Sequence, residues 1–397
     1  MHAKAMNDMR RIFYLLAVAV IAVVSACRND EAVIPPTPED TGKPSVKGKV
    51  VGMYVLNEGN MNSNKATLDY LDLSADGPTA QYMRNIYPSR NPDDVKELGD
   101  VGNDVKIYGS KLWMVINCSN KVVVASVADC RRQGQIDIPN CRFLAFHGGY
   151  AYVSSYVGPV DMSRDCPLGS VYKVDTTSLS IVGRVDVGYQ PDEMAVLDGK
   201  LYVANSGGYR APDYERTVSV IDLATFKEER KIDVDINLFR CKADKYGQLW
   251  VSSRGDTYDV PSRLYWLRKD QSGRMEKAGS INHNVSDYCI VGDSLYFIAA
   301  EWSSIMMDNT ISYGIVNVRT HELVSQTLSS APELVAVEMP YGIIVNPYGR
   351  DFYVMDAKNY LSSGELLHFK ADGSFDWKVS TGDIPGHAAF VFKDEKK

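Results

Sequence analysis

One short phrase recurs seven times in the chain: an aromatic residue opening a run that alternates apolar and small polar positions. It reads MYVLN at Tyr54, LWMVIN at Trp113, AYVSSY at Tyr152, LYVANS at Tyr202, LWVSSR at Trp250, LYFIAA at Tyr296 and FYVMDA at Tyr353. The aromatics lie roughly 40 to 60 residues apart, the period of propeller blades and similar arrays. Alternation at period two excludes an α-solenoid. A second alternating segment follows each phrase, among them KVVVASVAD, SVYKVD, TVSVID, RLYWL, ISYGIVNV and GELLHF. A third usually follows, as in SIVGRVDV and EERKIDV, and a connection such as DEMAVL or DYCIVG leads into the next unit. Four strands per unit and seven units predict an all-β protein, a seven-bladed β-propeller.

The two ends of the repeat region complement each other. The chain enters on the phrase strand of the first unit, after VKGKVVG, while DIPGHAAFVF near the C-terminus matches GYQPDEMAVL, a connection plus inner strand. The C-terminal strand is therefore expected to pair into the first blade and close the ring, which leaves no exposed edge. The propeller is expected over residues 46–397.

Residues 1–26 read as a signal peptide. Lys4, Arg10 and Arg11 precede the apolar run Ile12 to Ala26, which is short for a membrane span. The run ends in Val24-Ser25-Ala26 directly before Cys27 and resembles a bacterial lipobox, which implies lipidation of Cys27. Residues 27–45, rich in Pro and acid, read as a disordered tether. Its start, Arg28-Asn29-Asp30-Glu31, is similar to the signal that places Bacteroidetes lipoproteins on the outer face of the outer membrane. Six cysteines remain (Cys118, Cys130, Cys141, Cys166, Cys241 and Cys289), and their even number assigns neither disulfides nor free thiols. No C-x-x-C spacing suggests zinc.

Loop lengths separate the two faces of the ring. Between LYVAN and TVSVID the chain spends Gly207 to Arg216 where a two-residue turn would suffice. The corresponding loops EGNMNSNK, VGPVDMSRDCPLG, GDTYDVPSR, EWSSIMMDNT and KNYLSS fall on the same face, as does the connection YPSRNPDDVKELGDVGND. In that connection Asn91 is expected to cap a helix starting at Pro92 and ending at Gly99. Only the MPYGIIVNPYGRD stretch lies apart. Loops on a rigid scaffold are where recognition is built, so the elaborated face is expected to bind a ligand. The inner strands are expected to present Asp104, Arg142, Asp192, Arg240, Asp287, Glu333 and His387 to the funnel, joined by Tyr156, Arg254 and Glu301. Mutual pairing around a hydrated pore is the alternative role for these charges.

Catalytic signatures are sparse. The sequence has no G-x-S-x-G elbow, H-E-x-x-H pair, P-loop or dinucleotide fingerprint. Glu301, Glu333 and Asp192 could be assembled around a metal, but their spacing does not demand it. No enzyme activity, resident metal or cofactor is expected. The net charge of −7 argues against nucleic acid as a partner.

The pattern LYVANS…TVSVIDLAT…DVGYQPDEMAV resembles the YVTN-type seven-bladed propellers over nearly the whole mature chain. A narrower likeness lies in YVLNEGNMNSNKATLDYLDL together with the lipobox. These are similar to the BtuG-type surface lipoproteins of Bacteroidetes, which capture cobalamin (vitamin B12). The resemblance implies capture of a corrinoid and hand-over to a BtuB-like TonB-dependent transporter in the outer membrane. The expected ligand contacts are Asn62, Tyr87, Arg90, Arg142, Tyr156, Tyr189, Tyr209, Arg210, Tyr214, Phe239, Arg240, Arg254, Tyr258, Trp302 and Tyr360. Asn60, Asn64, Asp104, Gln190, Asp213 and Glu301 would bond ligand amides, line the mouth or hold the loops, and His387 is a candidate to ligate cobalt. A glycan-binding surface protein would use the same aromatic-rich rim, and a protein-binding adhesin would use the rim without the funnel.

Overall fold

Seven antiparallel sheets stand around one axis in the computed structural model, which describes residues 36–43, 49–74, 79–94, 97–160, 162–163, 165–256, 258–303 and 308–393. The segment read as a signal peptide, Cys27, and the segment read as a tether as far as Pro35 and again at 44–45 lie outside the described residues. Blades two to seven are four-stranded meanders, each made of consecutive strands. Their inner strands are Gly102–Tyr108, Cys141–His147, Pro191–Leu197, Leu238–Ala243, Asp287–Val291 and Pro340–Val345. Blade one closes the ring as expected. Pro385–Phe392 is its inner strand and pairs antiparallel with Val50–Asn57, from Val50↔Phe392 to Asn57↔Pro385. Within the segment read as a tether, Glu39–Asp40 pairs with Gln81–Tyr82 as a fifth, outermost strand of this blade.

The period-two pattern sorts side chains between neighbouring blades. On strand Lys111–Ile116, Leu112, Met114 and Ile116 pack with Tyr54 and Leu56 of blade one. The intervening Trp113 and Val115 pack with Leu144 and Val153 of blade three. Both faces of each phrase strand are therefore buried, and each fully buried Leu or Val stabilises the fold by about 1.5–3 kcal/mol. Outer strands such as Arg132–Asp137 face solvent and are mostly polar. At the axis, the inner strands of blades seven and one approach so closely that a Cβ on Gly342 would clash with the Gly386 carbonyl oxygen.

A register shift marks the start of the inner strand in every blade but the sixth. A β-bulge re-aims the side chains beside it. Here it lies beside Asp104, Arg142, Asp192, Arg240, Tyr341 and His387, at the rim of the axial channel.

Four local expectations are corrected. Glu333 does not open the seventh inner strand: Pro332 starts a short helix, Pro332–Val335, and Tyr341 takes the funnel position. The MPYGIIVNPYGRD stretch is consequently no insertion, because it contains that inner strand and its turn. In the first long connection the helix is Ile86–Arg90, and Asn91 ends it instead of starting one. The Asn91 amide donates to the Tyr87 and Cys130 carbonyls, which ties the helix to blade two. Finally, Glu301 and Trp302 sit on an extended hairpin, not a loop, with Trp302 opposite Asn309 and Ser303 opposite Asp308.

The six cysteines of the ring are free thiols. Burial pushes Cys130 and Cys141 up to about 12, so neither is a reactive thiolate near neutral pH. Among the described residues no helix is long and apolar enough to cross a membrane.

Candidate functional site

The funnel opens on the loop-rich face into a cavity of about 1180 Å³. Ten of the expected contacts line it: Arg142, Tyr156, Tyr209, Phe239, Arg240, Arg254, Glu301, Trp302, Tyr360 and His387. A second cavity of about 630 Å³ lies along the inner strands beyond the floor, and Arg240 and His387 border both.

Blades three, four and five build one side of the floor from aromatics and guanidinium groups. Phe143 and Phe239 meet edge to face, with centroids 5.9 Å apart. Arg254 stacks on Phe239 at 3.5 Å and Arg240 on the same ring at 4.4 Å. Arg142 lies 5.0 Å from the Tyr156 ring. Asp192, fully buried, holds this side together. Its Oδ1 accepts from Arg142 Nε at 3.2 Å and from the Tyr156 hydroxyl at 2.9 Å, and Arg254 Nη1 stands 3.7 Å from Oδ2. Burial and the neighbouring Asp192 both push the Tyr156 phenol above its ordinary range, which keeps it a donor.

Deeper along the axis the charges pair off. Arg240 lies 3.1 Å and Lys242 Nζ 3.3 Å from Asp287 Oδ1. Burial alone would raise the Asp287 carboxyl, but Arg240, Lys242 and His387 outweigh it and hold the group below its ordinary value. Three acids also stitch blades together: the backbone N–H groups of Leu144, Cys241 and Ile343 donate to Asp104, Glu193 and Asp287 respectively. Asp104 is thus occupied by Leu144 and by Lys106 at 3.5 Å, and it lines the second cavity, not the first.

Blades six, seven and one supply the other side. Glu58 accepts from the Tyr341 hydroxyl at 3.0 Å and stands 3.7 Å from His387 Nε2. The Asn284 amide donates to Glu301, whose carboxyl burial raises. Trp302, 46% exposed, and Tyr360 stand on this rim.

The remaining expected contacts do not line the cavity. Tyr87 is packed into the core between blades one and two, its hydroxyl bonded to Asp94, because its helix is laid against the blades and not out into the rim. Arg90 is exposed at the end of the same helix. Asn62 and Asn64 are turn formers with positive φ, and the Asn62 N–H donates to Asp100. Asn60 accepts from the Ser63 N–H at 3.0 Å, so this loop offers Met61 to the cavity instead of an asparagine. The loop from Gly207 to Arg216 is folded upon itself. Arg210 stacks 3.8 Å over Tyr189 and donates to the Asp213 carbonyl, and buried Gln190 accepts the Tyr209 N–H. Only Tyr209 of this group reaches the cavity, meeting Tyr156 edge to face at 6.4 Å. Tyr214 is half-buried in the loop, and burial raises its phenol. Tyr258 is 87% exposed and does not line the cavity.

Sequence reasoning missed Glu58, Met61, Phe143, Asn284 and Tyr341. Tyr341 had a signal: Pro340-Tyr341-Gly342 stands where Pro191-Asp192-Glu193 and Pro385-Gly386-His387 open other inner strands. Among the described residues no group of three or more His, Cys, Asp or Glu is placed to hold a metal ion, so Glu301, Glu333 and Asp192 do not converge.

No family model matches the chain, and no curated protein matches it. Solved structures do. The chain is similar to a hydrazine synthase of Kuenenia stuttgartiensis at 14% identity and a TM-score of 0.57, covering 72% of this chain and 89% of that one. It is similar to a quinonprotein alcohol dehydrogenase-like protein of Bacteroides thetaiotaomicron, also at 14% identity, with a TM-score of 0.54 over 86% of this chain and 78% of that one. A chain of the mitotic checkpoint complex matches at 11% identity and 0.52, covering 72% and 80%. Identities this low speak to the fold alone, and the fold is a seven-bladed β-propeller.

Proposed function

We propose that the chain is a non-enzymatic capture protein whose funnel takes a large amphipathic small molecule, a corrinoid, at the outer face of the outer membrane. The observation that carries this reading is the size and lining of the main cavity. Pockets for drug-sized ligands run to about 300–1,000 Å³, and this one, at about 1180 Å³, exceeds them. Its wall sets apolar surface (Phe143, Phe239, Met339, Trp302) beside guanidinium donors, Arg142 and Arg254. A corrinoid is a broad apolar ring edged with amides and suits such a wall. Rigid aromatics provide contact at small entropic cost. The sequence resemblance to BtuG-type lipoproteins supports the anchor at Cys27 and a TonB-dependent transporter as the acceptor of the ligand.

Calorimetry of the full-length chain in detergent with cyanocobalamin tests the reading, with a glycan panel in parallel. One-to-one binding of cyanocobalamin is expected. Heat from a glycan alone would move the protein to carbohydrate uptake, where Trp302 and Tyr360 would stack on sugar faces. Silence toward both would leave a protein partner on the rim.

A further inference from the structure

The three arginines of the floor have more hydrogen-bonding capacity than the protein uses. A guanidinium carries several N–H donors in a fixed fork and no acceptor. Among the described residues only Arg142 places a side-chain hydrogen bond, from Nε to Asp192. Arg254 has a single ion contact, at 3.7 Å, too long for a hydrogen bond. Arg240 is 5% exposed, yet its Nε is misaligned with Asp287 and has no hydrogen-bond partner. An unmet buried donor of this kind is costly, and a polar ligand can relieve it.

The charge count points the same way. Arg142 and Arg254 share one carboxylate, Asp192. Arg240 and Lys242 share Asp287, with Glu193 a more distant 4.0 Å from Lys242. One positive charge is left over on this side of the floor. Both Arg240 and Arg254 lie over Phe239, at 4.4 and 3.5 Å, which holds the two guanidinium groups side by side, and Arg254 places no side-chain hydrogen bond among the described residues. All three arginines line the main cavity.

We propose that Arg142, Arg240 and Arg254 form an anion subsite, built on the Phe239 ring, that seats a phosphoester group of the captured ligand. A phosphoester offers several acceptor oxygens to converging forks, and charge-assisted bonds of this type are the strong ones. The subsite deepens the capture reading and rests on it only for the identity of the rest of the ligand. Cobalamin carries a phosphodiester and cobinamide does not, so the subsite predicts a preference between them.

The test uses the full-length chain in detergent, at constant chloride, with two probes. Inorganic phosphate is titrated by calorimetry into the wild type, Arg254→Gln and the double variant Arg142→Gln/Arg254→Gln. Binding is expected to weaken about tenfold in the single variant and further in the double. The Arg254 side chain is partly exposed and places no hydrogen bond among the described residues, so near-UV circular dichroism should be unchanged in the single variant. In the second arm, the wild type should favour cyanocobalamin over dicyanocobinamide, and Arg254→Gln should bring the two affinities together. Phosphate binding lost in the variants without any corrinoid binding keeps the subsite and removes the corrinoid reading. Phosphate binding that is absent from the wild type, or equal in all three proteins, overturns the subsite even if cyanocobalamin binds.

Discussion

Two sides of one floor face each other with opposite chemistry. Blades three to five present Arg142, Arg240 and Arg254 beside aromatic rings, with Arg240 Nε and Asp192 Oδ2 buried and without hydrogen-bond partners. Blades six, seven and one present Glu58, Glu301, Tyr341 and Asn284, already engaged with one another. The first side is preorganised but unsatisfied, and the second is satisfied from within the protein. A ligand entering this cavity meets a polarised surface, so its orientation is selected before its detailed contacts form.

The largest expected effect tests whether Asp192 organises the arginine side. Asp192→Asn leaves Arg142 buried without its counter-charge and should cost about 3–5 kcal/mol in urea denaturation. A change near zero would mean that the arginines are held by stacking alone. Phe239→Ala comes next. It removes the ring under both Arg240 and Arg254, and for a half-buried phenylalanine a loss of about 2–3 kcal/mol is expected, together with weaker binding of cyanocobalamin.

The two remaining predictions concern acid and have opposite signs. The Asp287 carboxyl lies below its ordinary value in the fold, so its contribution is present above the unfolded value of 3.8 and is lost as pH falls through the folded one. Asp287→Asn should therefore lower the melting temperature at pH 7, by less than Asp192→Asn because Lys242 keeps Glu193 nearby, and the gap from wild type should close below about pH 4. Burial raises the Glu301 carboxyl, so its charged form opposes folding at neutral pH and its protonated form does not. Glu301→Gln should leave stability unchanged or raise it by a few tenths of a kcal/mol at pH 7, with no difference below about pH 4. Melting curves of both variants from pH 3 to 7 would distinguish the two sides; a common sign would erase the contrast.

The architecture was readable because its cause is local. Seven phrase strands with alternating faces have one economical solution, and the pairing of Pro385–Phe392 with Val50–Asn57 followed from the repeat register. The funnel residues were readable wherever an inner strand opens on a Pro or a bulge in step with its neighbours, as for Arg142, Arg240 and His387. Reading failed where local chemistry broke the register. Pro332 nucleated a helical turn and displaced Glu333, and a helix ending at Asn91 carried Tyr87 into the core. Asn62 and Asn64 of the first loop proved to be turn formers, since a left-handed backbone and a ligand contact call for the same residue type. Which side chains of Gly207–Arg216 turn inward depends on Arg210 stacking on Tyr189, a contact no spacing rule specifies.

The closure of blade one sets an order of events during synthesis. Every other strand of the ring leaves the ribosome before Pro385–Phe392, yet that strand is the inner partner of one of the first, Val50–Asn57. Until it arrives, blade one keeps an open edge toward the axis, and the channel lacks His387 on one side of its floor. An incomplete chain therefore shows an unpaired strand and an unfinished cavity at once, the kind of exposed edge that proteases and chaperones recognise. Truncation upstream of Pro385 should abolish ligand binding and shorten the lifetime of the chain together, so that only a fully translated ring is both durable and competent.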